Sequence, residues 1–316
     1  MNHVMAGIKT ASAVGAAAAV LWVAGSSVLP AQQAPAAGGQ APARGAQAPA
    51  APAAPAGAAQ APAYRAPRTY DKRPNLNGIW QANNSANWDL EAHSAEASPV
   101  VTLGAWGGIP AGQSVVVGGS IPYTPAGLKK RAENRANRLA RDQNKADSEL
   151  ACFLPGIPRA TYMPYPFQIV QSQNWILMAY EYDGAGRTIN MDNKEPEMPI
   201  DTWMGYSWGR WEGESLVVET KGMLDRTWLD RAGNAHSDQL SVVERFTPRS
   251  ADTLNYEATL TDPVMYTKPW TIRMPLYRRV EPNVQILEYN CVHMTEEWRY
   301  APLLEPALKL QKPAQK

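Results

Sequence analysis

The sequence predicts a mainly β fold, an antiparallel barrel of about eight to ten strands that follows one solvated helix and a disordered N-terminal tether. Three observations predict it. From about residue 167 onward, apolar and polar side chains alternate with period two. Turn residues separate the alternating runs at regular spacing, as in Asp183-Gly184-Ala185-Gly186. No helical crossover pattern follows residue 145, so neighbouring runs are expected to pair as hairpins.

Residues 1–31 predict a secretory signal peptide. Lys9 is the only early charged side chain, and residues 11–28 form an Ala-rich apolar run without a charge. Ala31 offers a small residue for cleavage. A retained membrane anchor is the alternative, because a run of this length is near the minimum that spans a bilayer. Gly and Ser residues dilute the run and favour cleavage, so we expect a periplasmic or secreted protein.

Residues 32–68 and 69–316 are expected to behave differently. The first range is almost wholly Ala, Pro, Gly and Gln, which bury too little apolar surface to order the chain. It predicts a disordered linker that holds the domain near a membrane or cell wall. The second range has the size of one domain, and the chain's 11 Trp and 13 Tyr residues supply apolar area for a single core. A net charge of +1 gives no indication of nucleic acid as a partner.

The predicted domain opens with a short strand at 75–81, which contains Gly78 and Trp80. Residues 98–123 are rich in Gly, Val and Pro and predict an irregular excursion. Within that excursion, residues 114–117 are the one segment that could form a short strand.

A helix and a series of strands follow the excursion. Thr124 supplies an N-cap and Pro125 suits the first helical position, which predicts a helix over 126–145. Its many Lys and Arg residues predict a largely solvated surface. Strands are then predicted at 167–171, 175–182, 187–191, 203–211, 215–220, 240–247, 254–260, 270–276 and 284–291.

Cys152 and Cys291 are the only two cysteines of the chain. In an exported protein, two cysteines more often pair than stay free, and closing so long a loop would stabilise the fold by about 4 kcal/mol. A redox-active pair would usually be close in sequence, and these two are far apart. We therefore predict a structural disulfide, with two free thiols as the alternative.

Two resemblances add to this interpretation. Gly78-x-Trp80 at the start of an antiparallel barrel resembles the calycin group, in which the tryptophan closes one end, and this implies a calycin-like barrel. Four further segments together resemble a family of uncharacterised secreted bacterial proteins, which implies an exported single-domain protein and no particular activity. The likeness runs from about residue 76 to 291, and Asp192-Asn193-Lys194 departs from an expected Asp-Gly-Arg turn. The segments are 152–159, 164–167, 203–213 (the Trp-Met-Gly-Tyr-Ser-x-Gly-Arg-Trp-Glu-Gly block) and 228–230 with 236–237.

Residues 227–237 hold the best candidates for chemistry. Their Gly and Asn content predicts a loop that sets Asp230 and His236 six residues apart, with Ser237 beside the histidine. An aspartate can orient an imidazole so that it acts as a general base near neutral pH. The alternative is structural: Asp230 caps the turn and His236 bonds to a backbone carbonyl. A Ser/His/Asp triad is not supported, because no Gly-x-Ser-x-Gly elbow occurs.

Charged side chains recur within the predicted strands, and the sequence does not say which of them face the barrel interior. Because an unpaired buried charge is costly, any that point inward must pair. Such pairs would form either a structural ladder or a polar pocket. The residues are Glu181, Arg187, Arg210, Glu219, Glu244, Arg245, Glu257, Arg273 and Glu288.

The leading hypothesis is an exported barrel that binds a small, partly apolar molecule in an aromatic-lined pocket. Asp230 and His236 are expected at the mouth of this pocket. The ligand, the oligomeric state and the fate of the signal segment are left open. The residues predicted to line the pocket are Tyr180, Glu181, Arg187, Trp203, Tyr206 and Trp228.

Two other functions are weighed. One is a cofactor-free hydrolase, isomerase or lyase, in which His236 is the base, Asp230 orients it and Arg187 stabilises a developing anion. The other is a structural or envelope-assembly protein, which would present an exposed apolar patch or strand edge. No metal site and no cofactor are predicted, because the four histidines show no metal-binding spacing and no glycine-rich phosphate loop occurs.

Overall fold

A computed structural model of the chain describes residues 64–97, 108–138, 140 and 142–291. The predicted signal peptide at 1–31 and most of the predicted linker at 32–68 lie outside the described residues. Over the described part of the chain, no helix is both long enough and apolar enough to cross a membrane.

Nine strands form a closed barrel, in which each strand lies beside its neighbours in the chain and the last strand returns to pair with the first. This confirms the mainly β barrel of about eight to ten strands that alternation predicts. The strands are β1 (Gly78–Ala82), β2 (Phe167–Gln171), β3 (Trp175–Tyr180), β4 (Gly186–Asn190), β5 (Tyr206–Glu212), β6 (Ser215–Lys221), β7 (Ser241–Ser250), β8 (Thr253–Thr261) and β9 (Trp270–Arg278).

One pair of neighbouring strands, β4 and β5, runs parallel, whereas the other pairs are antiparallel. The strand direction must return to its starting value around a closed ring, so the number of antiparallel contacts is even. A nine-strand barrel therefore needs an odd number of parallel contacts, and the prediction that all neighbouring strands pair as antiparallel hairpins is wrong at this point. The connection 191–205 takes the chain from the end of β4, beside Trp208, back past the first residue of β5, and this makes the parallel contact possible.

Trp80 closes one end of the barrel, which we call the Trp80 end. The indole is buried, and its Nε1 donates to the Leu76 carbonyl oxygen at 2.9 Å. The guanidinium of Arg278, on β9, lies 4.2 Å from the centre of the indole ring. Its Nη1 also donates to the Asn77 carbonyl oxygen at 2.6 Å. Arg278 thereby ties the last strand to the first, and the tight turns of β2–β3, β5–β6 and β7–β8 lie at the same end.

Long connections cover the opposite end, and they carry both helices. Helix α1 (Pro125–Asn137) begins at the predicted cap, where the Gly127 amide donates to the Thr124 hydroxyl at 3.0 Å. It ends eight residues before the predicted 145, at Asn137. All four residues of the short helix α2 (Arg159–Tyr162) are buried.

The predicted strand at 284–291 is wrong, since its one ladder contact with another described residue is an isolated bridge from Tyr289 to Tyr182. β9 already has β8 and β1 as partners, so closure of the barrel leaves no free edge for a further strand. The predicted segment 114–117 likewise makes only one bridge, from Val116 to Ile272.

The predicted disulfide is confirmed. Cys152 and Cys291 are bonded, with their Cα atoms 5.3 Å apart. The bond attaches the segment after β9 to the connection before α2, and the Cys291 amide also donates to the Asp183 carboxylate at 3.1 Å.

Candidate functional site

A pocket lies where β4 and β5 stop pairing. The two strands share only the register pairs Ile189–Ser207 and Asn190–Trp208. Gly205, just before β5, has φ +67°, a left-handed conformation that suits glycine, and its Cα faces the Lys221 carbonyl too closely for a Cβ. The pocket measures about 410 Å³, within the range of small-molecule sites. It is lined by Gly186, Arg187, Thr188 and Asn190 of β4, and by Pro196, Thr202, Met204, Gly205, Tyr206 and Ser207.

Arg187 lines this pocket and also reaches the barrel interior, where it pairs with Glu244 of β7. Arg187 Nη1 lies 2.6 Å from one oxygen of the carboxylate, and Nη2 lies 3.1 Å from the other. Both side chains are almost fully buried. The Tyr256 hydroxyl donates to the same carboxylate at 2.8 Å. The Nε of Arg187 is buried and has no hydrogen-bond partner among the described residues.

The Arg187–Glu244 pair carries no net charge, and its other polar neighbours are neutral. Burial alone would lower the pKa of Arg187, but the Glu244 carboxylate outweighs it and holds the pKa above its ordinary value. Arg187 Nη1 also lies 3.4 Å from the Thr220 hydroxyl, which in turn lies 2.9 Å from that of Ser207. Tyr180 is buried in the same interior, and burial raises the pKa of its hydroxyl, which stays neutral. The pair and its neighbours thus form a polar patch without net charge.

The other predicted pocket residues are spread over the molecule. The Tyr206 hydroxyl donates to the Ile200 carbonyl at 3.0 Å, on the wall of the pocket. Trp203 stacks on Phe153, with ring centres 4.7 Å apart, outside the barrel. The Glu181 carboxylate accepts from the Leu287 amide at 3.0 Å, on the surface. Of the predicted set, Arg187 and Tyr206 line the pocket, Tyr180 lies near Arg187 in the interior, and the others do not join them.

Asp230 anchors the loop 227–237 by accepting hydrogen bonds. Its carboxylate accepts from the amides of Leu90 at 2.9 Å and Ala232 at 3.0 Å, and from the Asn234 side chain at 2.5 Å. Burial raises the pKa of Asp230 to about 7, and the nearby Asp89 adds to the rise. This set of contacts is that of a turn cap.

His236 is buried and makes two hydrogen bonds to residues other than Asp230. Its Nε2 lies 2.6 Å from the Thr227 hydroxyl, and its Nδ1 lies 2.8 Å from the Ser237 carbonyl oxygen. A carbonyl only accepts, so Nδ1 carries the proton and Nε2 accepts from Thr227. The structure therefore brings Asp230 and His236 into one loop without a hydrogen bond between them. Their catalytic roles stay a prediction.

His236 is expected to make the protein less stable on acidification. Burial lowers its pKa below the ordinary 6.5, so below that pH the unfolded chain binds a proton that the folded protein does not. Relative to His236→Gln, the free energy of unfolding should fall by up to about 1.4 kcal/mol per pH unit below about pH 6.5. Urea unfolding of both proteins between about pH 5 and 7.5 checks this.

The comparison with His236→Gln isolates the histidine. Asp230, whose raised pKa gives the opposite slope between its ordinary pKa and about 7, is present in both proteins. If the difference in unfolding free energy between the wild type and His236→Gln does not change with pH, the assignment of a neutral, buried His236 is contradicted.

A second buried charge cluster surrounds Arg159 of α2, and sequence reasoning did not single it out. Arg159 is wholly buried and makes a bidentate pair with Asp147, at 2.5 and 2.9 Å. It also donates to Glu149 at 2.8 Å and to Asn87 at 2.9 Å. Arg231 holds the same Glu149 carboxylate at 2.6 and 2.7 Å. The cluster joins α2, the segment 147–149 and the loop 227–237.

Trp228, another predicted pocket residue, belongs to this cluster. It is buried, and its carbonyl oxygen accepts from Arg159 Nη1 at 3.3 Å. The one sequence signal for the cluster is that Arg159 ends an otherwise apolar, Pro-rich stretch, 152–159. Within the described residues, no three His, Cys, Asp or Glu side chains are grouped as a metal site would require.

Comparison with models of known protein families finds no match, and comparison with curated proteins finds no significant similarity.

Proposed function

We propose that this protein is an exported β-barrel that binds a small, partly apolar molecule in the pocket beside β4 and β5. The observation that carries the proposal is a pocket of ligand size on whose wall two predicted ligand residues, Arg187 and Tyr206, lie together. The wall combines polar side chains with apolar ones. The polar ones include Thr188, Asn190 and Thr202, and the apolar ones include Pro196 and Met204.

An apolar strip on the outer face of β3 continues the β4 wall of the pocket. Leu177 lies opposite Thr188, and Trp175 lies opposite Asn190, so all four share the outer face. Trp175 is 43% exposed, so part of its indole is accessible on this face. The strip supplies apolar contact area for a ligand that extends from the pocket.

The proposal also includes export from the cytoplasm and a family assignment. The disulfide suits an oxidising compartment, as expected after cleavage of the predicted signal peptide into the periplasm or the medium. We also propose that the barrel is calycin-like and belongs with the secreted bacterial proteins that its motifs resemble. The buried Trp80, in the Gly78-x-Trp80 motif at the closed end, supports the first of these two assignments.

The other two hypotheses have less support. An enzyme that uses His236 as its base needs the imidazole accessible, whereas this residue is 2% exposed and both ring nitrogens are hydrogen-bonded. An envelope-assembly protein that pairs through a strand needs a free edge, and the closed barrel gives every described strand two neighbours.

Filling the pocket tests the proposal. A Cβ added at Gly186 would meet only the Met178 carbonyl oxygen, at 3.7 Å, so Gly186→Phe should be tolerated and should occupy the pocket. The wild-type chain and the variant are purified from the envelope fraction of the native host, and bound molecules are extracted and compared by mass spectrometry. A compound should accompany the wild type and be absent from Gly186→Phe.

Val243→Phe is the matched control, because it puts the same side chain on the outer face of β7, away from the pocket. It should retain the compound. Recovery of the same compounds from all three proteins, or of none from the wild type, would count against the proposed function.

A further inference from the structure

We infer that the pocket beside β4 and β5 takes an uncharged molecule that carries hydrogen-bonding oxygen or amide groups, rather than a carboxylate or an amine. The inference rests on the proposed function and concerns the chemistry of its ligand. It is based on the charges of the residues that line the pocket and on the groups that neutralise them.

Of the ten residues that line the pocket, only Arg187 is charged. Its two terminal nitrogens hold both oxygens of Glu244, at 2.6 and 3.1 Å, so the positive charge is already neutralised by a bidentate pair. Nε is the remaining donor of this guanidinium, and it has no partner among the described residues.

The nearest charged group on β6 is also neutralised. Lys221 lies opposite Tyr206 in the barrel, and its ammonium pairs with both oxygens of Glu195, at 2.9 and 3.0 Å. No charge on the described pocket wall is therefore left for an ionic ligand to pair with.

The remaining polar groups suit a neutral ligand. The side chains of Thr188, Asn190 and Thr202 line the pocket and form no hydrogen bond with another described residue. Two hydroxyls and one amide can donate to, or accept from, an alcohol, a carbonyl or an amide. A ligand carboxylate or ammonium would find no free counter-charge on this wall, and burying it there would be costly.

A matched series tests the inference. Octanamide, octanoate and octylammonium share one apolar chain and differ in the charge of the head group, and calorimetric titration of the full chain measures their affinities. Only binding that Gly186→Phe removes and Val243→Phe retains is counted as binding in the pocket. Octanamide should bind about tenfold or more tightly than either ion.

Glu244→Gln provides a second arm, because it keeps an acceptor for Arg187 and Tyr256 and removes the negative charge. It should raise the affinity for octanoate about tenfold relative to octanamide. Its fold is checked by its unfolding curve. Pocket binding of octanoate by the wild type as tightly as octanamide would overturn the inference and leave the proposed function standing. Absence of pocket binding for the whole series would overturn both.

Discussion

Replacing Arg187 with methionine is expected to lower the free energy of unfolding by about 3–5 kcal/mol. The methionine fills much of the volume of the arginine, but it leaves the Glu244 carboxylate fully buried without its counter-charge. The Tyr256 hydroxyl, at 2.8 Å, is the one other side chain that donates to this carboxylate in the described structure. Guanidinium chloride unfolding, followed by tryptophan fluorescence, measures the loss.

A double variant separates the uncompensated charge from lost packing. Arg187→Met with Glu244→Gln removes both charges and keeps an acceptor for Tyr256, so it should recover most of the stability. Glu244→Gln alone should lose less than Arg187→Met. Equal losses in Arg187→Met and in the double variant would show that packing, and not the unpaired carboxylate, sets the stability at this position.

The strands could be predicted from the sequence because alternation is a local signal. The predicted β2 agrees with the structure at both ends, and β8 and β9 differ by two residues or fewer. The partner of Arg187 could not be predicted in the same way. Alternation says that Arg187 and Glu244 each face one side of a sheet, but only closure of the barrel brings β4 and β7 across the same interior.

The parallel contact of β4 and β5 was missed for a related reason. A connection of the length of 191–205 fits either a hairpin loop, after which β5 would run opposite to β4, or a return past the start of β5, after which the two strands run in the same direction. Which of the two occurs depends on the number of strands in the closed ring, because nine strands cannot all pair antiparallel, and that number is a property of the whole sheet. The candidate pocket lies beside this contact, so sequence reasoning could name Arg187 and Tyr206 without placing the pocket.

The loop 227–237 shows a different limit. Its composition predicts a loop, and both the catalytic and the capping interpretation of Asp230 use the same residue types. They differ in whether the Asp230 carboxylate accepts a hydrogen bond from an imidazole or from backbone amides. One of the amides that donate to it belongs to Leu90, which lies far away in the chain, so the loop sequence alone does not distinguish the two. Long-range contacts of this kind leave no periodic pattern in the sequence.

Arg159→Met is expected to lower the free energy of unfolding by at least as much as Arg187→Met, about 3–5 kcal/mol or more. Arg159 is wholly buried and neutralises Asp147, which has no other cation within ion-pair distance in the described structure. Glu149 keeps Arg231 as a partner. Arg159→Lys should lose an intermediate amount, because one ammonium cannot replace the planar fork that holds both Asp147 oxygens.

Arg245→Met is the matched control, since Arg245 pairs with Glu212 at 2.6 Å on the surface, where both side chains are more than a third exposed. Its loss should be much smaller, because water solvates the Glu212 carboxylate that remains and Arg210 still pairs with it. The two variants remove ion pairs of similar length, so the difference between them measures burial. Similar losses would mean that solvent reaches Asp147 once Arg159 is gone, and that α2 does not seal this end of the barrel.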